Sequence, residues 1–246
     1  MNETLALLMN HRSIRKYSDK PVSEEQLAAV VAAGQMASTS SNVQAYTVIA
    51  VTDSDKKQAL SRLAGNQAYI VECPVFLVWC ADLYRLKKSA EPHLGDSPTY
   101  EDSTENFIVA TVDAALAAQN AAVAAESLGM GIVYIGGIRN AIAEASELLE
   151  LPELVYPVFG MCLGYPDQEP GLRPRLPQPA VLHRDRYDPG ALAEVKTYDE
   201  ISSAYLAERT NGANTAPWSQ LMAKRLAEPV RLHMQDFLKQ KGFMKR

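Results

Sequence analysis

Three cysteines and four histidines in 246 residues leave little room for disulfide or metal chemistry. Cys73, Cys80 and Cys162 form no C-x-x-C pair and sit among apolar neighbours, which reads as reduced core thiols in a cytoplasmic protein. His11, His93, His183 and His233 are scattered without ligand spacing, so no metal is expected. Long apolar stretches are missing too. No uninterrupted run approaches the ~20 residues of a membrane helix, and Met1–Asn10 lacks the cationic start and apolar core of a signal peptide. Excess positive charge is absent: the net charge is −5 and the pI about 5.5, so neither nucleic acid nor an anionic membrane is an expected partner. Finally, no G-x-G-x-x-G follows a strand, since Gly129-Met130-Gly131 precedes one, and no Walker A sequence occurs.

What is present suffices for a full core, with 47% hydrophobic residues. A short helix over about 3–10 runs into a basic stretch. Ser23 with Gln26 three residues on has the capping-box pattern for a helix over about 24–36 carrying Leu27, Val30 and Val31. A polar loop over 38–42 precedes a β-branched strand, 46–51, and a charged helix of about 54–64 ends at Gly65. Residues 74–81 are apolar on both parities, as in a central strand covered on both faces. Residues 91–105, acidic and containing Pro92 and Pro98, read as a loop. An alanine-rich helix follows over about 106–128, its small side chains suited to close packing. Then come a strand at 132–135 ending in Gly136-Gly137, a helix of about 140–149, a strand over 155–166 and a Pro/Arg-rich connection through 190. Two mixed-charge helices are expected from about Lys196. Helices alternating with strands argue for a layered α/β arrangement. The boundary falls at 195, with a core over 1–195 and a helical arm over 196–246.

Two basic clusters stand far apart in the chain: Arg12 and Arg15 around Ser13, and Arg173-Pro174-Arg175. Guanidinium forks match phosphate oxygens, and an anion is commonly held by arginines from separate segments. A solvated charged exit from the first helix is the plainer alternative for the first cluster.

His11-Arg12-Ser13-Ile14-Arg15, Ser38-Thr39-Ser40-Ser41 with Gln44, Gly65-Asn66-Gln67, Ala114 to Asn120, Tyr134 to Arg139 and Arg173 to Leu176 follow one another in an order that carries a likeness. So do Tyr205 to Gly212 and Trp218-Ser219. The set resembles the oxygen-insensitive, NADPH-dependent nitroreductase and flavin reductase group of the FMN-dependent nitroreductase family, over nearly the whole chain. The resemblance implies an α+β three-layer sandwich around a mostly antiparallel sheet, in a homodimer with FMN at the subunit interface.

It also implies residue roles. Arg12, Ser13, Arg173 and Arg175 belong to the phosphate side and Arg15 to the pyrimidine edge of the flavin, with His11 a further cofactor-binding residue. Gly136 and Gly137, with Tyr134 and Ile135, let backbone approach the ring. Thr39 and Ser41 reach it across the dimer, and Gln67 bonds its edge. Thr39 stands where most relatives carry Ser. Arg209 is implied for the 2′-phosphate of NADPH, with Arg139 on the same side. Relatives carry basic residues just after that arginine; here Thr210 to Pro217 contains none, which weakens discrimination against NADH. The implied activity passes hydride from NADPH to bound FMN and then to nitroaromatics, quinones or free flavin by a ping-pong route. No protein acid, base or nucleophile is expected, because the cofactor carries the chemistry. The alternative is an FMN-binding redox sensor without turnover.

Overall fold

The computed structural model describes residues 2–246. The chain divides into two compact units, one running to Pro170 and completed by Arg231–Arg246, the other spanning Gly171–Val230. The units therefore part at 170 and 231 rather than at 195.

In the first unit, helix α1 (Glu3–Met9) is capped by the Asn2 side chain, and α2 (Glu24–Gln35) by the Ser23/Gln26 capping box. Strand β1 (Tyr46–Val51) leads to α3 (Ser54–Leu63), N-capped by Asp53, and to the single turn α4 (Tyr69–Glu72). Then come β2 (Val75–Asp82), α5 (Tyr84–Leu94), α6 (Thr104–Ser127), β3 (Gly131–Ile135), α7 (Ile142–Leu148) and β4 (Val155–Gly164). The second unit holds α8 (Glu194–Arg209) and α9 (Trp218–Ala227), and the first regains α10 (Met234–Gln240).

Among the described residues the sheet has four strands in the order β1-β2-β4-β3, every neighbouring pair antiparallel. The α/β arrangement read from alternating helices and strands gives way here to α+β. The end of β1 pairs with the start of β2, Val51 opposite Phe76, so α3 and α4 return the chain to the edge it left. Alternation along β2 divides the core by parity. Leu77, Trp79 and Ala81 face a layer with the alanines of α6, Val30 of α2 and Phe237 of α10. Phe76, Val78 and Cys80 face Leu60 of α3, Ile70 of α4 and Ala145 of α7. Every residue of β2 is buried, as its unbroken apolar run predicts. The three cysteines are free and buried.

Two other expectations change. The loop expected at 91–105 is helical up to Leu94 and irregular only over 95–103. Pro92 sits in the last turn of α5, where its missing N–H removes a single hydrogen bond. The two C-terminal helices become three, because Phe237, Leu238 and Phe243 bury themselves in the α6-side core. α6 is long and apolar enough to cross a membrane by length and hydropathy. Its face Ala110, Ala114, Ala117, Ala118, Ala121 is nevertheless core, which accounts for its apolar character.

Lys87 of α5 joins Glu101, ahead of α6, at 2.5 Å. Burial pushes the Glu101 carboxyl up, but hydrogen bonds from Lys87 and Thr99 outweigh it and hold the group at about 2, below the ordinary 4.5. A carboxyl depressed in the folded state contributes stability above 4.5, and that contribution is lost as pH falls toward 2. Glu101→Gln should therefore flatten the stability curve across that window. Urea titrations at stepped pH would show it, and a slope equal to wild type would discount the pair.

Candidate functional site

Strand β3 organises the first unit's candidates. Ser13 forms a parallel bridge to Ile132, and the Ile14 N–H donates to the Ile132 carbonyl at 2.9 Å. Gly131 makes this possible, since a Cβ there would lie under 3.0 Å from the Ile14 side chain. The bridge is parallel, so the chain from Ser13 to Arg15 runs the same way as β3 runs toward Tyr134 and the glycines. His11 is held by Glu126 of α6 at 2.5 Å. Arg12 pairs with Glu169 at 3.0 Å and Asn10 at 2.7 Å, while its buried Nε has no partner. Asn10, Arg12, Glu126 and Glu169 line a cleft with Ile14, Gly131 and Pro166. Glu169 is 87% exposed against 22% for Arg12. Such a pair is worth only about 0–1 kcal/mol, so the carboxylate holds Arg12 weakly. Arg15 is exposed.

At the far end of β3 the chain turns through a short 3-10 segment, Gly136–Arg139. Any Cβ at Gly137 would fall under 3.0 Å from Gln67 Nε2 and the Ala64 carbonyl. Only glycine lets the turn sit against Gln67, whose Nε2 donates to that carbonyl at 2.6 Å. Ile135 is buried, and Tyr134 packs edge-on against Phe159 while its hydroxyl donates to Gln119 of α6. Burial, and then the charge of Glu126, push the Tyr134 hydroxyl up, so it stays a neutral donor.

Arg139 has a structural duty. β4 carries a bulge: Trp79 pairs with Phe159 and Cys80 with Pro157, leaving Val158 extra. The Val158 carbonyl is taken by Arg139 Nη1. Burial, with Arg231 nearby, lowers the Arg139 pKa. Its guanidinium is thus committed on one edge to the sheet.

Thr39 and Ser41 lie on the loop between α2 and β1. Ser41, Asn42 and Gln44 all have positive φ (46°, 58° and 52°), a conformation that costs non-glycine residues energy. Asp113, in the middle of α6 and 1% exposed, offsets this. Its Oδ1 accepts from the Ser40 N–H and its Oδ2 from the Ala45 N–H, both at 3.1 Å. Thr39 is half-buried and Ser41 exposed.

In the second unit Arg173 and Arg175 are exposed, and the Pro174 carbonyl between them accepts from Tyr198 of α8 at 3.1 Å. Arg175 Nη1 donates to the Arg173 carbonyl. Arg209 closes the last turn of α8, where a cation also suits the helix dipole. Each unit thus gathers its own candidates, His11 to Arg139 in the first and Arg173, Arg175 and Arg209 in the second. Among the described residues no group of three or more His, Cys, Asp or Glu could hold a metal.

Sequence reading missed Asp113, Glu126 and Tyr69, although an ionisable residue interrupting an alanine-rich helix is a signal for Asp113. Tyr69 hydrogen-bonds Gln67 Oε1.

Residues 8–165 match the nitroreductase family, and residues 173–246 its C-terminal domain. The chain belongs to the nitroreductase family. It is 44% identical to an FMN reductase (NADPH) of Bacillus subtilis and 42% identical to an NADPH-flavin oxidoreductase of Vibrio harveyi, each over the full length of both chains. The solved structure of Bacillus megaterium NfrA1 superposes with a TM-score of 0.96 at 46% identity, covering 99% of this chain and all of that one. The family's C-terminal domain begins close to where the second unit begins.

Gly137→Ala tests the glycine turn. Overpacking against Gln67 and Ala64 should cost about 1–3 kcal/mol, read as a lower denaturation midpoint. Gly171→Ala, where an added Cβ meets nothing within 4 Å, should be neutral. Equal effects would show that the turn is not tight.

Proposed function

We propose that this chain is an NADPH-dependent FMN reductase of broad acceptor range. One observation carries the reading: β3 holds an arginine cluster with an orphaned buried Nε along its flank and a glycine-only turn against Gln67 at its end. Arginine forks suit a phosphate, and bare backbone suits a flat ring, so the residues fit FMN. The full-length relatives named for NADPH and flavin chemistry support the same assignment.

In this reading Arg12, Ser13 and His11 of the first unit offer donors to the phosphate, with Glu169 yielding its place on Arg12; Arg173 and Arg175 of the second unit carry the same fork chemistry on exposed side chains. Arg15 supplies positive charge to the pyrimidine edge. Tyr134 to Gly137 present backbone to the ring, and Gln67 donates to its edge. Bound FMN supplies the hydride acceptor for the nicotinamide and the electron source for the second substrate. Arg209 reads the 2′-phosphate of NADPH. Arg139 contributes charge from its pinned position.

A homodimer completes the site in the same proposal, with Thr39 and Ser41 offered across the interface. Support comes from α6, whose Ile108, Val112 and Leu116 are 49%, 47% and 44% exposed at i, i+4 and i+8. Such a stripe on a core helix is a docking face.

Adding NADPH without oxygen to the FMN-loaded protein should bleach the flavin band within seconds, and double-reciprocal plots should be parallel. Colour that persists would favour the redox-sensor alternative, and intersecting plots would exclude a shared pocket. Arg209→Ala should raise KM for NADPH about tenfold or more, as loss of a charge-assisted phosphate contact implies, and leave NADH little changed. Equal effects on both would remove Arg209 from phosphate reading. Val112→Glu with Leu116→Glu should yield monomers in sedimentation velocity; a dimer that persists would place the interface elsewhere.

A further inference from the structure

We propose that Tyr69 is a positioning residue that sets the orientation of the Gln67 amide at the flavin edge. The inference rests on the FMN reading above and deepens it. The Ala64 carbonyl can only accept, so the amide atom 2.6 Å from it must be the nitrogen. The oxygen then faces the Tyr69 hydroxyl, which donates to it. Flipping the amide would set two acceptors against each other at Ala64. The two anchors together fix one state.

The surroundings make that state useful. Ser61 Oγ donates to the Gln67 carbonyl at 2.9 Å and pins the backbone, so the remaining freedom lies in the side chain. Ala64 caps α3, and its carbonyl is an orphan of that helix end, which Gln67 satisfies with one N–H. The second N–H of Nε2 is left over. That nitrogen lies against Gly137, where no Cβ fits. A spare donor, orientationally locked, therefore stands beside the turn assigned to the reacting edge of the ring. Without the Tyr69 hydroxyl only Ala64 holds the amide, and the donor loses its fixed direction. A donor fixed before the reaction stabilises developing charge without reorganisation.

Tyr69→Phe deletes the hydroxyl and keeps the ring. The variant should still take up FMN, but the midpoint potential of the bound flavin should become more negative. Bleaching by NADPH should slow about five- to tenfold, the loss of roughly one hydrogen bond, with KM for NADPH unchanged. In a Gln67→Ala background the same substitution should change neither potential nor rate, because Tyr69 acts only through the amide. A Tyr69→Phe protein with wild-type potential, whether or not its melting temperature falls, overturns the proposal. So does an undiminished effect in the Gln67→Ala background. A wild-type chain that takes up no FMN overturns this proposal and the functional reading together. FMN uptake with an unshifted potential overturns this one alone.

Discussion

The structure depends on how closely α6 can lie against its neighbours. A Cβ added at Gly34 of α2 would lie 3.0 Å from the Ala117 carbonyl and 3.3 Å from both the Ala121 Cβ and the Trp79 ring. Larger residues at these points would lift the helix from the sheet. Because α6 sits so close, polar groups spaced along it reach three separate candidate segments. Asp113 takes the loop bearing Thr39 and Ser41, Gln119 takes Tyr134, and Glu126 takes His11. The alanine face is thus the mechanical reason that dispersed short motifs share one unit.

The site is assembled from irregularities of the fold. A bulge in β4 exposes the Val158 carbonyl, and Arg139 at the base of the glycine turn occupies it. The end of α3 exposes the Ala64 carbonyl, and Gln67 occupies that. Arg139 and Gln67 each thereby have a backbone partner that fixes them, Arg139 at the cost of some charge left for other ligands. Arg139 shows the compromise most clearly. Arg12 shows the opposite arrangement, a cation paired with an exposed carboxylate that holds it weakly.

Much of this was legible in the sequence. The Ser23/Gln26 capping box, the strand at 46–51 and the buried strand from 75 were visible because local chemistry decides them. The antiparallel order was not, since helix–strand alternation does not say which end of the sheet a connection returns to. Pro92 made the last turn of α5 look like loop, although a proline there costs far less than one in the middle of a helix. Phe237 and Phe243 gave no sign of which core would take them. For the site, motif resemblance named the candidate residues. Of the groups behind them, Asp113 left only the signal of an ionisable residue within an alanine run, because its partners are backbone amides brought near by folding; Tyr69 left none, although Gln67 lies two residues away.

The central claim is that the α6-anchored frame forms a flavin cradle. The most direct measurement is equilibrium titration of the flavin-free protein with FMN, followed by quenching of flavin fluorescence, for wild type and Asp113→Ala. The account predicts one FMN per chain for wild type. It predicts weaker binding for the variant, whose serine loop has lost two charge-assisted hydrogen bonds worth roughly 1.5–3 kcal/mol each. Fluorescence unaffected by the wild-type chain, or identical affinity in the two proteins, would contradict it.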